Sequence, residues 1–522
     1  MIDIVTVIVL IVMAAAWLTV SLRRDMQMFQ QNSYRNDRYL KWLRMSGDSS
    51  SIARITTLAS LFLILAFPYS WGYGVAAGLV AALAVVELRR KYKHNVVFTK
   101  RVWRLFSAAV LLCAAMAAAV AITDWRYLPH ILLVEAVLSW VISFVANTAL
   151  APVERSINQS YVNDAKRLLA DMPEMKVVGV TGSYGKTSTK HYLNRILQEK
   201  YNVLMTPGSY NTPMGVVRTI REMMKPYNDL FICEMGAKQV GDIKEICDIV
   251  RPSVGIVTAV GPQHLESFKT IENVQRTKFE LVDALPADGF AVLNNDFEWI
   301  ARRPVDNVKC SRYAVAKPDG ADYHAENIEY SAQGTTFDIV LPDGTRHAMR
   351  TRLVGECNIS NLLAAIITGL YLEVPIEKIQ YAVSKIEQVE HRLNMKRTAG
   401  GITIIDDAFN SNPDGSRMAL DVLSRMTGGK RIVITPGMIE LGDKQQELNR
   451  EFGRRIAKAV DVAIIVGEYN REAILAGIDD EGMKADALIV VNTFAEAQQQ
   501  LAAIATAGDT VLYENDLPDT FK

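Results

Sequence analysis

The chain opens on an almost wholly apolar run from Asp3 to Leu22, the length of about 20 residues at which a helix crosses a hydrocarbon core of roughly 30 Å. Three more apolar regions follow: Ile55 to Leu88, Leu105 to Ile122 and Pro129 to Leu150. The first of these exceeds one span. It contains Pro68 and a Trp71-Gly72-Tyr73-Gly74 break, which predicts two short spans joined by a tight turn carrying interfacial aromatics. Five membrane helices within residues 1–150 are therefore expected. A cleaved signal peptide is the rival for the first run, but n-region charge is missing and Arg23 and Arg24 follow the run instead of preceding it. Lys and Arg settle the expected topology. Residues 23–54 carry seven and 89–104 carry seven, whereas the Trp71 turn has none and the 123–128 loop only Arg126. Positive residues stay in the cytoplasm, so the N-terminus is placed outside and everything after residue 150 inside, at a multi-pass cell membrane. Glu135 lies inside the last span and reads either as a functional intramembrane carboxylate or as a helix-end residue facing neighbours or water.

From Pro152 to Ala170 the apolar residues Val153, Ile157, Tyr161 and Leu168 recur at a helical period. This predicts a juxtamembrane helix, either on the bilayer or serving as a linker. Beyond it the pattern alternates between short apolar β-rich runs and helical stretches. GITIIDD, KRIVITPGM, VDVAIIVG, DALIVV and DTVLYEN predict a second, Rossmann-like sheet from residue 398 onward. No GxGxxG accompanies it, so it is not read as a dinucleotide site. The expected organisation is a membrane domain (1–150), a linker helix (151–173), a central nucleotide-binding domain (174–397) and a C-terminal domain (398–522). The fold class is an α-helical membrane domain followed by α/β domains.

Composition narrows the function. The 522 residues are enough for roughly three domains, and 57 Lys+Arg balance 57 Asp+Glu, which excludes a general polyanion binder such as a nucleic-acid protein. Five scattered cysteines without a CxxC pair suggest neither a disulfide framework nor a zinc ribbon.

The chemistry concentrates at KVVGVTGSYGKTSTKHYLNRIL, which begins at Lys176. An apolar strand, a glycine turn and a helical stretch make a phosphate loop. Gly182 and Gly185 let the backbone N–H groups of Ser183, Tyr184 and their neighbours face an anion. Lys186 supplies a charge to the β/γ-phosphates, and Thr187, followed by Ser188, can place a hydroxyl on Mg²⁺. The strict GxxxxGK[ST] pattern is not met, because Val180 stands five residues before Gly185. Glu234 ends the apolar run Asp229-Leu-Phe-Ile-Cys-Glu, the place where a buried parallel strand delivers a carboxylate to its C-terminal edge.

The TGxxGKT[ST] form resembles that of the Mur ligase family of ATP-dependent amide-forming enzymes. Seven further segments follow in that family's order: YNTPMGVV (Tyr210–Val217), EMGAKQVGDI (Glu234–Ile243), GPQHLESFKTIENVQRTKFEL (Gly261–Leu281), GECNISNLLAA (Gly355–Ala365), EHRLN (Glu390–Asn394), IDDAFNSNP (Ile405–Pro413) and GMIELGD (Gly437–Asp443). The second and third are most similar to the member that adds D-alanyl-D-alanine. The resemblance implies ATP and two Mg²⁺ ions, with Thr187 and Glu234 as metal ligands and His264 on the second ion. It also implies that Lys278 is carbamylated in support of that ion, that Asn358 and Asn361 face adenine, that Arg392 contacts phosphate and that Asp407 contacts ribose. Asn358 and Asn361 share a helix face at i, i+3 and can both donate and accept, which suits an adenine edge; helix capping is the other reading of Asn358.

The reaction the resemblance implies is activation of a carboxylate as an acyl phosphate followed by attack of an amine. Two departures bear on the substrates. Membrane helices stand where soluble Mur ligases keep the domain that binds a UDP-linked sugar peptide, and YENDLPD (Tyr513–Asp519) replaces a Lys-Gly-Ser-Arg-type segment. The expected acyl donor is thus a lipid-linked cell-envelope precursor, and the amine an amino acid or dipeptide. The alternatives are a conventional UDP-MurNAc-peptide ligase tethered to the membrane, a transporter or sensor driven by an NTPase domain, and a catalytically idle scaffold. Oligomeric state stays open.

Overall fold

A computed structural model describes all residues except 1, 2, 91, 93, 94, 209, 264, 332, 333, 390–392, 409, 410 and 517–522. The expected site residues His264 and Arg392 lie outside the described residues. The chain divides into two compact units, Met1–Gln159 and Ser160–Leu517.

The first unit is helical: α1 (Ile4–Gln31), α2 (Asn36–Met45), α3 (Ile52–Ala66), α4 (Ser70–Arg89), α5 (Lys100–Asp124), α6 (Leu128–Val137) and α7 (Ser139–Ala170), the unit boundary falling within α7. Helix α1 buries Val7, Leu10, Ala14, Trp17, Leu18 and Leu22, a 3.6-residue stripe that packs on α4 and α6. Its opposite side leaves Ile4, Val5, Ile8 and Val12 exposed. Arg54 is buried inside this unit and is held by Asp48 (3.1 Å), Asp25 (3.5 Å) and the Val137 carbonyl (2.7 Å). A buried guanidinium left without such partners would cost several kcal/mol.

Among the described residues, four stretches are long and apolar enough to cross a membrane: Ile4–Gln31, Asp48–Ala66, Ser70–Arg89 and Lys100–Val137. The expected division of residues 55–88 into two spans corresponds to α3 and α4, with Phe67–Tyr69 between them. The expected fifth span, 129–150, is not one helix. It breaks at Leu138 between α6 and α7, and the ten residues of α6 rise only about 15 Å. The expected separate juxtamembrane helix is the C-terminal part of α7, with Pro152 accommodated inside the helix.

The second unit begins with β1 (Lys176–Thr181), α8 (Lys186–Leu197), β2 (Val203–Met205), α9 (Pro213–Met223), β3 (Leu230–Glu234), α10 (Asp242–Val250) and β4 (Val254–Val257). It continues through α11 (Leu265–Phe268), α12 (Ile271–Asp283), β5 (Phe290–Asn294), α13 (Glu298–Ala301), β6 (Lys309–Ala314), β7 (Tyr323–Ser331), β8 (Gly334–Val340), β9 (Arg346–Thr351), α14 (Glu356–Tyr371) and α15 (Ile376–Lys385). These strands form one sheet in the order β2-β3-β1-β4-β5-β6-β7-β8-β9. The pairings from β2 across to β7 are parallel, and β8 and β9 extend the sheet through antiparallel pairings beyond β7. Helices α8 and α14 cover one face, and α9, α10 and α12 the other. Burial on both sides explains the continuous apolar runs VVGV and LFIC.

A second sheet follows, built from β10 (Asn394–Arg397), β11 (Thr403–Asp407), β12 (Arg431–Thr435), β13 (Val462–Val466), β14 (Leu488–Val491) and β15 (Thr510–Glu514). Its order is β10-β11-β15-β12-β13-β14, parallel apart from β10. With α16 (Pro413–Ser424), α17 (Gln445–Ala459), α18 (Arg471–Asp480) and α19 (Phe494–Ile504) it is Rossmann-like. Its edge strand β10 begins at Asn394, ahead of the expected boundary at residue 398.

Candidate active site at the first sheet's C-terminal edge

Strand β1 lies between β3 and β4, where the strand order reverses, the position at which open α/β sheets place ligands. The phosphate loop leaves β1 here. Gly185 has φ +77, and a Cβ on it would collide with Asn361 Oδ1; Gly182 would likewise meet Thr258 Oγ1. The loop is stitched to the segment that follows β4: Ser183 N donates to the Ala259 carbonyl (2.8 Å), Ser183 Oγ donates to the Gly261 carbonyl (3.1 Å), and Thr258 Oγ1 donates to the Tyr184 carbonyl. Burial, then the Asp414 carboxylate, push the Tyr184 phenol well above its ordinary pKa. The loop is pre-formed by these bonds. Gly185→Ala is therefore expected to reduce ADP affinity by roughly tenfold or more through strain and the Asn361 clash, as equilibrium dialysis would read.

Lys186 begins α8 and donates its ammonium to the Gly182 (2.6 Å) and Ser183 (3.3 Å) carbonyls, within the turn of the loop. Thr187 Oγ1 donates to Glu234 Oε1 at 3.1 Å, so the hydroxyl and the carboxylate that the sequence places 47 residues apart are in contact. Glu234 is 1% exposed. Two residues not expected from the sequence complete its surroundings. Asn211 Nδ2 donates to Oε1 at 3.0 Å, and the fully buried Lys190 places Nζ 3.0 Å from Oε2. Asn211 sits in the quoted Tyr210–Val217 segment. Lys190 lies one helical turn after Lys186, and that i, i+4 spacing on an otherwise apolar face was the available signal.

Burial raises the Glu234 pKa, but Lys190, Lys186 and the Asn211 bond outweigh it and hold the carboxyl below its ordinary range. The stability this gives is full above the ordinary carboxylate range and is lost as pH falls through the depressed value. Lys190→Met would leave Glu234 buried without its counter-ion. The expected cost is about 3 kcal/mol, seen as a lower urea midpoint that recovers at acidic pH, where the carboxyl is protonated.

The donor set fits Mg²⁺. Thr187 and Glu234 offer hard oxygen ligands beside a phosphate loop, the arrangement of few protein oxygens plus substrate phosphates that this ion favours. Among the described residues no group of three or more His, Cys, Asp or Glu side chains gathers as a metal site. Lys278 is on α12, 2% exposed, with Nζ 5.9 Å from the centre of the Phe268 ring. Burial, then the Lys186 charge, lower its pKa well below the ordinary value against the opposing pull of Asp242 and Glu280. It is not a surface lysine.

Asn358 and Asn361 both lie on α14 and both tie it to α8. Asn358 accepts from Tyr192 OH (2.8 Å) and donates to the Val354 carbonyl (2.8 Å), while Asn361 Oδ1 accepts from Thr189 Oγ1 (3.2 Å). Asn358 is thus committed to protein partners on both ends of its amide. Ser188 is buried on α8. Asp407 ends β11, and its Oδ1 accepts from Leu393 N at 3.1 Å. The segments Glu234–Ile243 and Gly437–Asp443 meet through Lys238 Nζ and Glu440 Oε1 at 3.2 Å.

Two family models match the chain: the Mur ligase middle domain over residues 180–369 and the Mur ligase glutamate ligase domain over 391–513. The UDP-N-acetylmuramoyl-tripeptide--D-alanyl-D-alanine ligase of Bacillus subtilis (strain 168) is 27% identical over 65% of this chain and 72% of that protein. The enzyme of the same name from Escherichia coli (strain K12) is 28% identical over 68% and 80%. Among solved structures, MurF from Acinetobacter baumannii matches with a TM-score of 0.62 at 26% identity, covering 69% of this chain and 77% of that one. MurF from Thermotoga maritima in complex with ADP matches at 0.61 and 25% identity, covering 69% and 80%. Two domain models in the family's order, motifs from Gly182 to Asp443 and a MurF-like fold place this chain in the Mur ligase family, as an ATP-dependent, amide-bond-forming ligase of peptidoglycan-precursor type.

Proposed function

We propose that the second unit joins a muramoyl-peptide carboxylate to the amine of an amino acid or dipeptide at the Lys186–Glu234 site. The contact of Thr187 with Glu234 beside the phosphate loop carries this reading. The substrate carboxylate oxygen attacks the γ-phosphorus of ATP and the bond to ADP breaks, giving an acyl phosphate. The amine nitrogen then attacks the acyl carbon and loses a proton, and phosphate leaves with the bonding pair.

Mur ligases use ATP and Mg²⁺. Thr187 and Glu234 are the ligands we assign to one Mg²⁺, which when bound would offset phosphate charge; His264 and a carbamylated Lys278 are those we assign to a second. Lys186 holds the transferring phosphoryl group by charge, and Gly182, Ser183, Tyr184 and Gly185 supply backbone N–H groups. The depressed pKa of Lys278 favours the neutral amine, which is the form that adds to CO₂, releasing a proton and leaving a carbamate anion. Arg392 on phosphate, Asp407 on ribose and Asn361 near adenine complete the assignment. For Asn358 we propose a tie between α14 and α8 in place of an adenine contact, because its amide is already engaged.

The carrier of the acyl donor has two readings. The names of the curated relatives favour a UDP-linked muramoyl peptide. The apolar helices of the first unit favour a lipid-linked one, handled by a multi-pass membrane protein whose ligase unit is cytoplasmic. That topology requires α6 and the first turns of α7 together to make the fifth crossing, because α5 ends on the non-cytoplasmic side of the positive-inside assignment. Full-length protein in detergent, given ATP, Mg²⁺, D-alanyl-D-alanine and either carrier, distinguishes them. Amide formation on the lipid-linked compound supports the membrane reading, and formation on the UDP-linked compound alone rejects it.

A further inference from the structure

The first unit contains a cavity of about 680 Å³ between α1, α3 and α4. Its polar lining is mostly cationic, with Arg24, Arg89 and Arg90 beside Ser51 and Glu87. Its apolar lining includes Trp17, Leu83 and Val86. Arg24 Nε and Ser51 Oγ, on two of the lining residues, are enclosed by protein with no hydrogen-bond partner, while the Arg24 guanidinium pairs with Asp48. Buried donors left unmet are uncommon and costly, so this end of the unit is short of acceptors.

The local charge agrees. Arg24 pairs with Asp48 and lies 3.8 Å from Glu87, Arg90 lies 3.9 Å from Glu87, and Arg54 is held by Asp48 and Asp25. Four guanidiniums (Arg24, Arg54, Arg89, Arg90) against three carboxylates (Asp25, Asp48, Glu87) leave one positive charge in excess, and Arg89 is exposed. On the apolar side Ile52 is 83% and Val86 67% exposed. Both flank the cavity at the ends of apolar helices, where the positive-inside assignment would set Arg89 and Arg90 at a lipid headgroup layer.

We propose that this cavity binds the phosphate head of an anionic lipid, with the guanidiniums of Arg24, Arg89 and Arg90 around the phosphate and the chain leaving along Leu83 and Val86. The inference rests on the membrane reading of the first unit, not on the identity of the acyl donor. An inorganic phosphate would use the same donors but gain nothing from the apolar wall.

The test is equilibrium binding of radiolabelled dodecyl phosphate to the full-length protein in a non-ionic detergent. Saturable binding is expected, with affinity falling roughly thirtyfold in the double variant R89Q/R90Q, about 1 kcal/mol for each arginine removed at a lipid surface. Leu83→Trp, which fills the apolar side, should weaken it as well, and ADP binding measured in parallel should be unchanged in both variants. Inorganic phosphate in large excess should not displace the probe. Absence of saturable binding, equal affinity in both variants, or displacement by inorganic phosphate overturns the proposal. Amide formation on a lipid-linked precursor by a protein that fails the dodecyl phosphate test would reject this cavity while leaving the donor reading in place.

Discussion

Lys186→Ala and Glu234→Ala should each lower amide-forming turnover by about a thousandfold, the scale of losing one preorganised group that offsets transition-state charge. Lys186 holds its charge inside the phosphate loop, 2.6 Å from the Gly182 carbonyl. Glu234 is the buried carboxylate to which Thr187, Asn211 and Lys190 all point. The two variants should differ in stability. Removing Lys186 takes away a part-buried cation that the loop carbonyls can replace with water. Removing Glu234 strands the buried Lys190 ammonium, so Glu234→Gln is the better probe of chemistry at constant fold. Turnover is read as ADP and amide released, and Mg²⁺ affinity should fall in Glu234→Gln while ADP affinity measured without metal is retained. Wild-type turnover in either variant would remove the site assignment.

The second large effect is at Lys278. If its amine carries a carbamate, Lys278→Ala should lose about a hundredfold in turnover, the upper range for groups that tune a metal site from behind its ligands. Short carboxylates such as acetate should restore part of that activity by occupying the emptied anionic position. Raising bicarbonate should protect the wild type and leave Lys278→Ala unaffected. A lysine that only packs against Phe268 would show a different pattern, with loss of stability but no rescue.

Legibility in the sequence followed the reach of each physical signal. The phosphate loop was readable because its chemistry is local: a strand, two glycines with left-handed or strained backbone demands, and a Lys-Thr pair opening a helix fall within Lys176–Leu197. Glu234 was readable because an apolar run that ends in a carboxylate gives strand direction and edge together. The pairing of Glu234 with Lys190 and Asn211 was not, since it depends on β3 lying between β1 and β2, a register that no periodicity records. Asn358 illustrates the opposite failure. Its helix-face spacing with Asn361 is plain in the sequence, yet the partner that engages it, Tyr192, lies 166 residues away. In the first unit, hydropathy located the apolar stretches but not the break at Leu138, because a run of apolar residues scores alike whether one helix or two carry it.

In the proposed reaction the Lys186–Glu234 site makes an acyl phosphate which an amine then consumes. Its most direct test is a single-turnover reaction of the full-length protein in detergent with γ-labelled ATP, Mg²⁺ and a muramoyl-peptide carboxylate, with hydroxylamine in place of the natural amine. One hydroxamate per ADP released is expected, with neither formed by Lys186→Ala. Release of ADP and phosphate at the wild-type rate with no hydroxamate, on either carrier of the peptide, would contradict it.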